Sequence, residues 1–414
     1  MLNWQPSLDE RYTRMSPDEA AQRIEARRKA LGDSLVILGH HYQTDRVIRH
    51  ADLTGDSLKL SQQAAAVVSD PSRSKRPEHI IFCGVHFMAE TADMLTPSDV
   101  EVILPDLSAG CSMADMASYD DTVEAWNDIH QTLEKLGWTG RIIPITYVNS
   151  SAAIKAFVGE HGGACCTSSN ADRVFAWAAA GGDLPSQQGE DIKILFLPDQ
   201  HLGRNTAHAF GIDVETRSVL YDPKLTNKGE PLGGIEPDAL LESAVILWAG
   251  HCSVHKLFRP EHCGEILSAN QTDPDNATRI LVHPECAKEV VDKAHDAGST
   301  EYIIKQIEAA EPGSRWAIGT EVHLVNRLAQ RAAQRGVHVR ILSDCQCLCT
   351  TMYRIDEPHL LWVLDGLCGL DVEEKPAKHQ VRNVIQVRQE VREHALAALD
   401  RMLSLATPTA ATTD

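Results

Sequence analysis

Short apolar runs rich in β-branched residues alternate with helical stretches along most of the chain. The candidate strands are residues 35–38, 80–83, 102–104, 142–148, 192–197, 245–248, 280–282, 316–318 and 337–342. This alternation is typical of α/β folds, in which crossover helices join parallel strands. We therefore predict an α/β protein whose sheets are mostly parallel.

Helical periodicity is clearest between two of these strands, where apolar residues recur at spacings of three and four. The pattern comprises Val123, Trp126, Ile129, Leu133 and Leu136, with Gly137 at the predicted C-terminus. A second amphipathic helix is predicted for 380–405, followed by a disordered tail at 406–414. The segment 221–242 contains paired glycines and several prolines, which predict a loop or a small insertion.

Polar clusters follow many of the predicted strands, at residues 39–43, 147–151, 198–199, 283–285 and 319–321. Ligands bind at the carboxyl ends of parallel strands, so we expect the functional site there. The chain also divides into thirds, and each third closes near one cysteine: Cys111, Cys252 and Cys349. The predicted domains are 35–137, 138–275 and 276–358, with an N-terminal extension at 1–34 and C-terminal helices at 359–405.

The charge of the chain excludes some classes of partner. Its 414 residues are enough for two or three domains. The net charge of -19 argues against nucleic acid or an anionic membrane as the main partner. No apolar stretch is long enough to span a bilayer, and the first residues do not look like a secretory signal. A cytoplasmic protein is the expectation.

The cysteines give the first indication of chemistry. A reducing compartment disfavours disulfides, so the 11 cysteines are expected to be core residues, metal ligands or redox groups. Cys345, Cys347 and Cys349 form the densest group and favour metal or redox chemistry over incidental thiols on an exposed loop. Zinc is left open by the spacing, because Cys252 and His255 could supply a further pair of ligands.

Cys111 and Cys252 each follow a predicted strand and a glycine or other small residue. Small residues would let a bulky metal cluster approach the backbone. Taken alone, either cysteine is more typical of a buried structural residue. The remaining cysteines are expected to be core or incidental residues: Cys83, Cys165, Cys166, Cys263, Cys286 and Cys368.

A series of short sequence motifs lies between about residue 35 and residue 360. They are GHHYQ at 39–43, GDSL at 55–58, GVHFMAETA at 84–92, PD at 105–106, AGCS at 109–112, YVNSSA at 147–152, CTSSNA at 166–171, PDQHLG at 198–203, HCSVH at 251–255, VHPE at 282–285, GST at 298–300, GTE at 319–321 and CTTM at 349–352. Each string alone is weak evidence, but the ordered set is specific. It resembles the quinolinate synthase A family, although the stretch between 201 and 252 is longer than usual there.

The resemblance implies three αβα domains with parallel sheets, related by a pseudo-threefold axis. Each domain would give one cysteine to a [4Fe-4S] cluster, with the cluster and the active site at the centre. The ligands implied are Cys111, Cys252 and Cys349, the last being the cysteine of the family's C-x-x-M string. Cys345 and Cys347 would then be spare.

The resemblance also implies an activity in de novo NAD biosynthesis. The family condenses iminoaspartate with dihydroxyacetone phosphate to quinolinate, with loss of phosphate and two waters. Three cysteine ligands leave one iron free to act as a Lewis acid. Functional coupling to L-aspartate oxidase is a further expectation.

The implied site residues are matched by position in the strings. The catalytic candidates are His40, Tyr42, Tyr147, His283 and Glu285, and Glu285 is the predicted general base. The candidates for substrate binding are His40, Ser57, Tyr147, Asn149, Ser168, His283, Glu285, Ser299 and Thr300. Two plain alternatives remain: a surface ion pair of Glu285 with Lys288, and a helix cap at Ser57. His201 and His255 are doubtful candidates.

Two other functions compete with this hypothesis: another [4Fe-4S] hydro-lyase, and a zinc-stabilised binding protein. A redox switch is a separate hypothesis. Oxidation could join Cys345 to Cys347, or either of them to Cys349, in a disulfide. The cluster would then lose a cysteine ligand.

Overall fold

A computed structural model of the chain describes residues 5–73, 75–344 and 347–406. The strands are β1 (Leu35–His40), β2 (Leu53–Gly55), β3 (His79–Cys83), β4 (Glu101–Ile103), β5 (Arg141–Tyr147), β6 (Ala164–Cys166), β7 (Ile192–Leu197), β8 (Ser218–Tyr221), β9 (Val245–Trp248), β10 (Thr278–Val282), β11 (Asp296–Ala297), β12 (Arg315–Gly319), β13 (His338–Ile341) and β14 (Val384–Ile385).

The α-helices are α1 (Glu10–Thr13), α2 (Pro17–Leu31), α3 (Asp45–Ile48), α4 (Ser57–Ser69), α5 (His86–Leu95), α6 (Tyr119–Lys135), α7 (Ala152–Glu160), α8 (Ala171–Ala179), α9 (Gln200–Ala209), α10 (Val214–Arg217), α11 (Pro223–Thr226), α12 (Pro237–Glu242), α13 (Pro260–Thr272), α14 (Lys288–Val291), α15 (Thr300–Glu308), α16 (Val322–Ala333), α17 (Glu357–Cys368) and α18 (Gln389–Ala406). The helices and strands together form two compact units. Unit one comprises Met1–Cys111, Glu321–Gln330 and Gln346–Arg388, and unit two comprises Ser112–Thr320, Arg331–Cys345 and Gln389–Asp414.

Unit one contains a five-stranded sheet in the order β14-β4-β3-β1-β2. Its strands are parallel except for β14, which pairs with β4 in the antiparallel direction. The N-terminal helices are fixed to α17 by a buried polar group. Arg27 Nε and Tyr12 Oη donate to the two oxygens of Asp365 at 2.7 and 2.8 Å. A buried carboxylate is costly unless it is paired, so this group fixes how the helices pack.

Unit two contains two sheets, β6-β5-β7-β9-β8 and β11-β10-β12-β13, and all of their strand pairs are parallel. The C-terminal helix α18 packs on α7. A close approach of the two backbones at Gly159 makes this possible, because a Cβ there would lie 1.9 Å from the carbonyl oxygen of His394. The C-terminal helix therefore belongs to the core of unit two.

The predicted α/β fold class is confirmed, because helices alternate along the chain with the strands of three mostly parallel sheets. All of the predicted strands form, and so does the predicted helix, as α6. The segment 221–242 is not a plain loop but contains α11, α12 and a short 3-10 helix (Pro231–Gly234), which is compatible with the alternative of a small insertion. The predicted C-terminal helix forms as α18, but its predicted start was wrong: it begins at Gln389 because β14 occupies part of the stretch predicted as helix.

Five short strands, β2, β6, β8, β11 and β14, were not predicted. The tail at 407–414 lies outside the described residues, although Ala406 still ends α18. The domain boundaries and the pseudo-threefold axis stay predictions. In the described ranges, no helix combines the length and the apolar character needed to cross a membrane.

Candidate active site

The backbone around three cysteines follows one pattern. In each case the first residue of a helix donates its N–H to the carbonyl oxygen two residues before a cysteine. The bonds run from His86 to Ala109 at 2.8 Å, from Gln200 to Gly250 at 3.0 Å and from Val322 to Cys347 at 3.1 Å. The cysteines that follow are Cys111, Cys252 and Cys349, so these three occupy equivalent backbone positions.

The same equivalence continues after each cysteine. A 3-10 helix of three residues begins three positions further on, at Ala114–Met116, His255–Leu257 and Met352–Arg354. We call the segments 109–116, 250–257 and 347–354 the cysteine loops. Their register places Cys349, rather than Cys347, in the position that matches Cys111 and Cys252.

Exposure separates these three thiols from most of the others. Cys111, Cys252 and Cys349 are partly exposed. The thiols of Cys83, Cys165, Cys166, Cys263, Cys286 and Cys347 are buried. Burial raises the pKa of Cys83 to about 12, as expected for an inert core thiol. Of the cysteines predicted to be core or incidental residues, Cys83, Cys165, Cys166, Cys263 and Cys286 are core residues, whereas Cys368 is partly exposed. Cys347 does not lie on an exposed surface, and Cys345 is outside the described residues.

Cys349 has hydrogen-bond donors close to its sulfur. Burial and the nearby carboxylate of Glu321 raise the pKa of its thiol, although the hydroxyl of Thr351 and the backbone amides of Met352 and Thr351 act in the opposite direction. The Thr351 hydroxyl oxygen lies 3.5 Å from Sγ. Amide and hydroxyl donors aimed at a sulfur favour its anionic form, which is the form that binds metals.

Glu285 is the centre of a buried polar network in unit two. It follows β10 and is 3% exposed. Tyr147, at the end of β5, donates its hydroxyl to Glu285 Oε1 at 2.6 Å. His255 Nδ1 lies 2.9 Å from Oε2, and its Nε2 lies 3.1 Å from the hydroxyl of Thr320. Both carboxylate oxygens are therefore held by ring or phenol donors.

The electrostatics of this network assign charge states. Burial raises the pKa of Glu285, but the imidazole of His255 and the hydroxyl of Tyr147 act in the opposite direction, and the pKa lies below its usual range. Burial lowers the pKa of His283 to about 3. At neutral pH Glu285 is therefore an anion able to accept a proton, and His283 is a neutral imidazole.

Cys252 lies beside this network. Ligand atoms of Cys252, His255 and Glu285 all lie within 4.8 Å of one another. This sulfur, nitrogen and oxygen set could hold a metal ion, and zinc accepts each of these ligand types. The second cysteine loop (250–257) thus places the candidate ligand Cys252 next to the candidate base Glu285.

A cavity of about 620 Å³ in unit two brings further predicted residues together. Ser168 and Ser299 both line it. His283 Nε2 lies 3.2 Å from the hydroxyl of Ser168. Ser299 is the N-cap of α15 and accepts from the backbone N–H of Tyr302 at 3.3 Å, so Thr300 begins the helix. The start of a helix is a favourable position for an anionic group.

Asn149 is close to the end of β5, and its side-chain oxygen Oδ1 is buried. This oxygen has no hydrogen-bond partner within the part of the chain that the structure describes. Buried polar atoms are nearly always satisfied, so an orphaned acceptor points to a ligand that donates to it. Asn149 is therefore suited to orient a substrate.

The predicted residues His40, Tyr42 and Ser57 belong to unit one. His40 ends β1 and is buried, and its Nδ1 accepts from the backbone N–H of Tyr42 at 3.1 Å. The two rings pack edge-on with centroids 4.7 Å apart. Asp56, not Ser57, caps α4 by accepting from Lys59 N at 2.9 Å. The helix-cap explanation for Ser57 is thus wrong.

The surface ion pair suggested as an alternative role for Glu285 is also wrong, because Lys288 pairs with Asp292. His255, a doubtful candidate from the sequence, contacts both Glu285 and Thr320. The Cys-x-x-His spacing of 252–255 was its one signal, and its partners Glu285 and Thr320 are 30 and 65 residues away in sequence. Distant partners of this kind cannot be read from the chain.

These features define an α/β protein with three equivalent cysteine loops and a buried network of a carboxylate, imidazoles and a phenol. Such a combination is compatible with an enzyme that uses a metal or an iron–sulfur group. The family model described as "Quinolinate synthetase A protein" matches residues 22–404. The chain belongs to this family, and it is an enzyme that acts on small molecules.

Curated relatives agree along nearly the full length. The chain is 48% identical to a quinolinate synthase of Acidobacterium capsulatum over 96% of both chains. It is 48% identical to that of Streptomyces coelicolor over 94% of this chain and 89% of the relative. It is 46% identical to that of Anoxybacillus flavithermus over 98% and 99%. The comparisons support this family over the competing functions, another hydro-lyase and a zinc-stabilised binding protein.

Proposed function

We propose that this enzyme condenses iminoaspartate with dihydroxyacetone phosphate to give quinolinate, phosphate and two waters, as a step of NAD biosynthesis. The equivalence of the three cysteine loops supports this proposal most directly. It supplies the three thiolates that the family's cluster requires from three separate parts of the sequence. Functional coupling to L-aspartate oxidase stays a prediction.

Cys111, Cys252 and Cys349 would hold a [4Fe-4S] cluster. Their partial exposure suits this role, and so do the donors facing the sulfur of Cys349. When bound through three thiolates, such a cluster supplies a Lewis acid, because one iron has no protein ligand. Cys347 is buried, and its carbonyl oxygen accepts the hydrogen bond from the first residue of α16. We therefore do not propose it as a ligand.

Glu285 is proposed as the general base. The condensation requires protons to be removed from carbon and delivered to the oxygens that depart as water. Glu285 is anionic and can take a proton from substrate carbon, and in its protonated form it can return a proton to a leaving hydroxyl. Tyr147 and His255 hold its two oxygens in a fixed orientation. General acid–base groups contribute about 10²–10⁴-fold to rate.

The substrate's anionic groups are assigned to donors at the ends of strands and the starts of helices. Ser168, Ser299 and Thr300 surround the start of α15, where hydroxyls and backbone amides favour a carboxylate or a phosphate. His283 binds through the imidazole that lies beside Ser168. Asn149 offers its unpaired oxygen to a donor on the substrate. His40 and Tyr42 are also proposed as catalytic residues, and His40 and Ser57 as substrate-binding residues.

The test is an anaerobic purification followed by counts of iron and sulfide and an assay of quinolinate. Phosphate release from dihydroxyacetone phosphate is measured with and without iminoaspartate. We expect a brown protein with about four irons per chain, and phosphate release that depends on iminoaspartate and matches quinolinate formed. Phosphate release without iminoaspartate, or a colourless zinc-containing protein, would contradict the proposal.

A further inference from the structure

The segments 40–43 and 283–286, which we call the acid–base turns, repeat one backbone arrangement. Each begins with a histidine at the end of a strand or directly after it, β1 in one case and β10 in the other. The histidine Nδ1 accepts from the backbone N–H two residues further on, that of Tyr42 at 3.1 Å and that of Glu285 at 3.3 Å. The histidine carbonyl accepts from the N–H three residues further on, at 2.9 and 3.0 Å. Tyr42 and Glu285, both proposed to move protons, therefore occupy equivalent positions.

A side chain of α9 holds the turn that carries Glu285. The Nδ2 atom of Asn205 donates to the carbonyl oxygens of Pro284 and Cys286 at 2.8 and 2.9 Å. These two residues are the neighbours of Glu285 on either side. An amide nitrogen carries two N–H groups, so one side chain can serve both carbonyls at once. Asn205 therefore fixes the backbone both before and after Glu285.

A side chain of α16 holds the turn that carries Tyr42 in the same way. The Nη1 atom of Arg327 donates to the carbonyl oxygen of Gln43 at 3.2 Å, and its Nη2 atom donates to that of His41. These are again the neighbours on either side. The guanidinium also pairs with Asp45, and Arg327 is only 9% exposed. A planar guanidinium presents its donors in a fixed fork, so it holds two carbonyls in one geometry.

The two side chains stand at the same position of their helices. The helices that donate to the cysteine loops are α5, α9 and α16, which we call the donor helices. Asn205 and Arg327 are each the sixth residue of a donor helix. Two donor helices thus hold a cysteine loop with their first residue and an acid–base turn with their sixth. In α5 the sixth residue is Thr91, whose hydroxyl donates to Phe87 of the same helix at 2.8 Å.

We propose that Asn205 and Arg327 are positioning residues: each fixes an acid–base turn to the helix that also holds a cysteine loop, and so sets the place of Glu285 or Tyr42 relative to that loop. Groups supported from helices are held more precisely than groups on loops alone. Misplacing a reacting group by about 1 Å can slow a reaction about 10²-fold. The inference rests on the function proposed above, since it takes Glu285 and Tyr42 as acid–base residues.

Asn205→Ala is the test in unit two, because it removes both bonds to the turn. Its matched control is Asn270→Ala. Asn270 is also half-buried, and it bonds the start of β10 as Asn205 bonds the turn after that strand. Its Nδ2 donates to the carbonyl oxygen of Thr278 at 2.9 Å, and its Oδ1 accepts from the N–H of the same residue at 2.7 Å. The control therefore removes a comparable pair of bonds without touching the turn.

Arg327→Lys is the test in unit one, because it keeps the positive charge and loses the fork of donors. Its matched control is Arg335→Lys. Arg335 also donates to two backbone carbonyls, those of Ile307 and Glu308 at 2.6 and 2.7 Å. These carbonyls belong to the end of α15 and to neither acid–base turn.

The experiment measures kcat and KM for quinolinate formation by the anaerobically loaded full chain, together with the iron content and melting temperature of each variant. We expect kcat to fall about tenfold or more in Asn205→Ala and in Arg327→Lys. KM should stay close to the wild-type value, because a misplaced proton-transfer group is felt in the transition state rather than in substrate binding. Iron content and melting temperature should match those of the controls.

Three results would overturn the positioning role of either residue. The first is a kcat equal to that of its control. The second is a loss of iron or of melting temperature that accounts for the fall in kcat, since it would indicate a general loss of structure. The third is a rise in KM with kcat unchanged, since it would place the residue in substrate binding.

Glu285→Gln and Tyr42→Phe separate this inference from the function proposed above. If either variant forms quinolinate at the wild-type rate, the acid–base assignment of that residue fails, and the positioning role of the side chain that holds its turn fails with it. If both variants lose turnover while Asn205→Ala and Arg327→Lys behave as their controls, the acid–base residues stand and the positioning role alone is wrong.

Discussion

The first and second cysteine loops share a backbone but differ in their side chains. In both, the helix start donates to the carbonyl two residues before the cysteine, Cys111 or Cys252. Val85 precedes the first donor helix and offers no side-chain acceptor, whereas Asp199 precedes the second. The turn just before the first loop has its own carboxylate, because Asp106 accepts from the backbone N–H and the hydroxyl of Ser108 at 2.8 and 2.6 Å.

A second difference lies three residues after the cysteine. The first loop has Ala114 there, and the second has His255, which contacts Glu285. The third loop has Met352. The comparison teaches that one backbone arrangement serves all three candidate ligands, while the contact with the proposed base Glu285 is made by a residue of the second loop. The predictions below test the shared part first and the distinct parts afterwards.

The largest effect is expected from replacing any one of the three cysteines at the equivalent loop positions. Cys111→Ser, Cys252→Ser and Cys349→Ser should each lose the cluster, because three equivalent positions supply the three thiolates. Cys345→Ser and Cys347→Ser are the matched controls and should keep it. Iron and sulfide counts after anaerobic reconstitution measure this, and a full iron complement in Cys349→Ser would overturn the equivalence of the loops.

The next effect concerns the second loop's partner. Glu285→Gln should keep the cluster but lower turnover by about 10²–10⁴-fold, since an amide cannot accept a proton. Glu289→Gln, four residues away and exposed, is the control and should behave as wild type. If Glu285→Gln turned over normally, the carboxylate would be structural, and Tyr42, Tyr147 or His283 would have to move the proton.

Much of the fold was predictable because its signal is local. Runs of three to seven mostly apolar residues identified the central strands, whereas short strands such as β2 and β11 carry no such signal. The candidate ligands followed from a resemblance in the order of motifs. The equivalence of the loops could not be predicted, because it is a property of the backbone. The accepting carbonyls belong to Ala109, Gly250 and Cys347, which share no side-chain feature.

A smaller effect is expected from Tyr147→Phe, which removes one donor from Glu285. The hydroxyl of Tyr147 lowers the pKa of Glu285, so its loss should raise that pKa. A base is active only when deprotonated, and the acidic limb of the pH profile of kcat/KM should therefore move to higher pH. An unchanged acidic limb would show that this limb does not report Glu285.

Gly250→Ala tests a close contact in the second loop. A Cβ at Gly250 would lie 2.2 Å from the carbonyl oxygen of Pro198, so the backbone must shift. The equivalent residue of the first loop, Ala109, already carries a Cβ. We expect Gly250→Ala to destabilise the cluster-free protein by about 1–3 kcal/mol in urea unfolding. Wild-type stability would show that the backbone of the second loop can shift to accept a Cβ at residue 250 without a cost in stability.

The smallest effect is expected from Gly264→Ala, which is the matched control for Gly250→Ala. Gly264 lies inside α13, and a Cβ there would meet nothing within 4 Å. Alanine loses less backbone freedom than glycine when a helix forms, so the substitution should stabilise the protein by about 0.5–1 kcal/mol. The same urea titration measures both variants. Opposite signs at the two glycines would show that the cost at Gly250 comes from the contact with Pro198 and not from glycine replacement as such, whereas a loss of stability at Gly264 would remove that distinction.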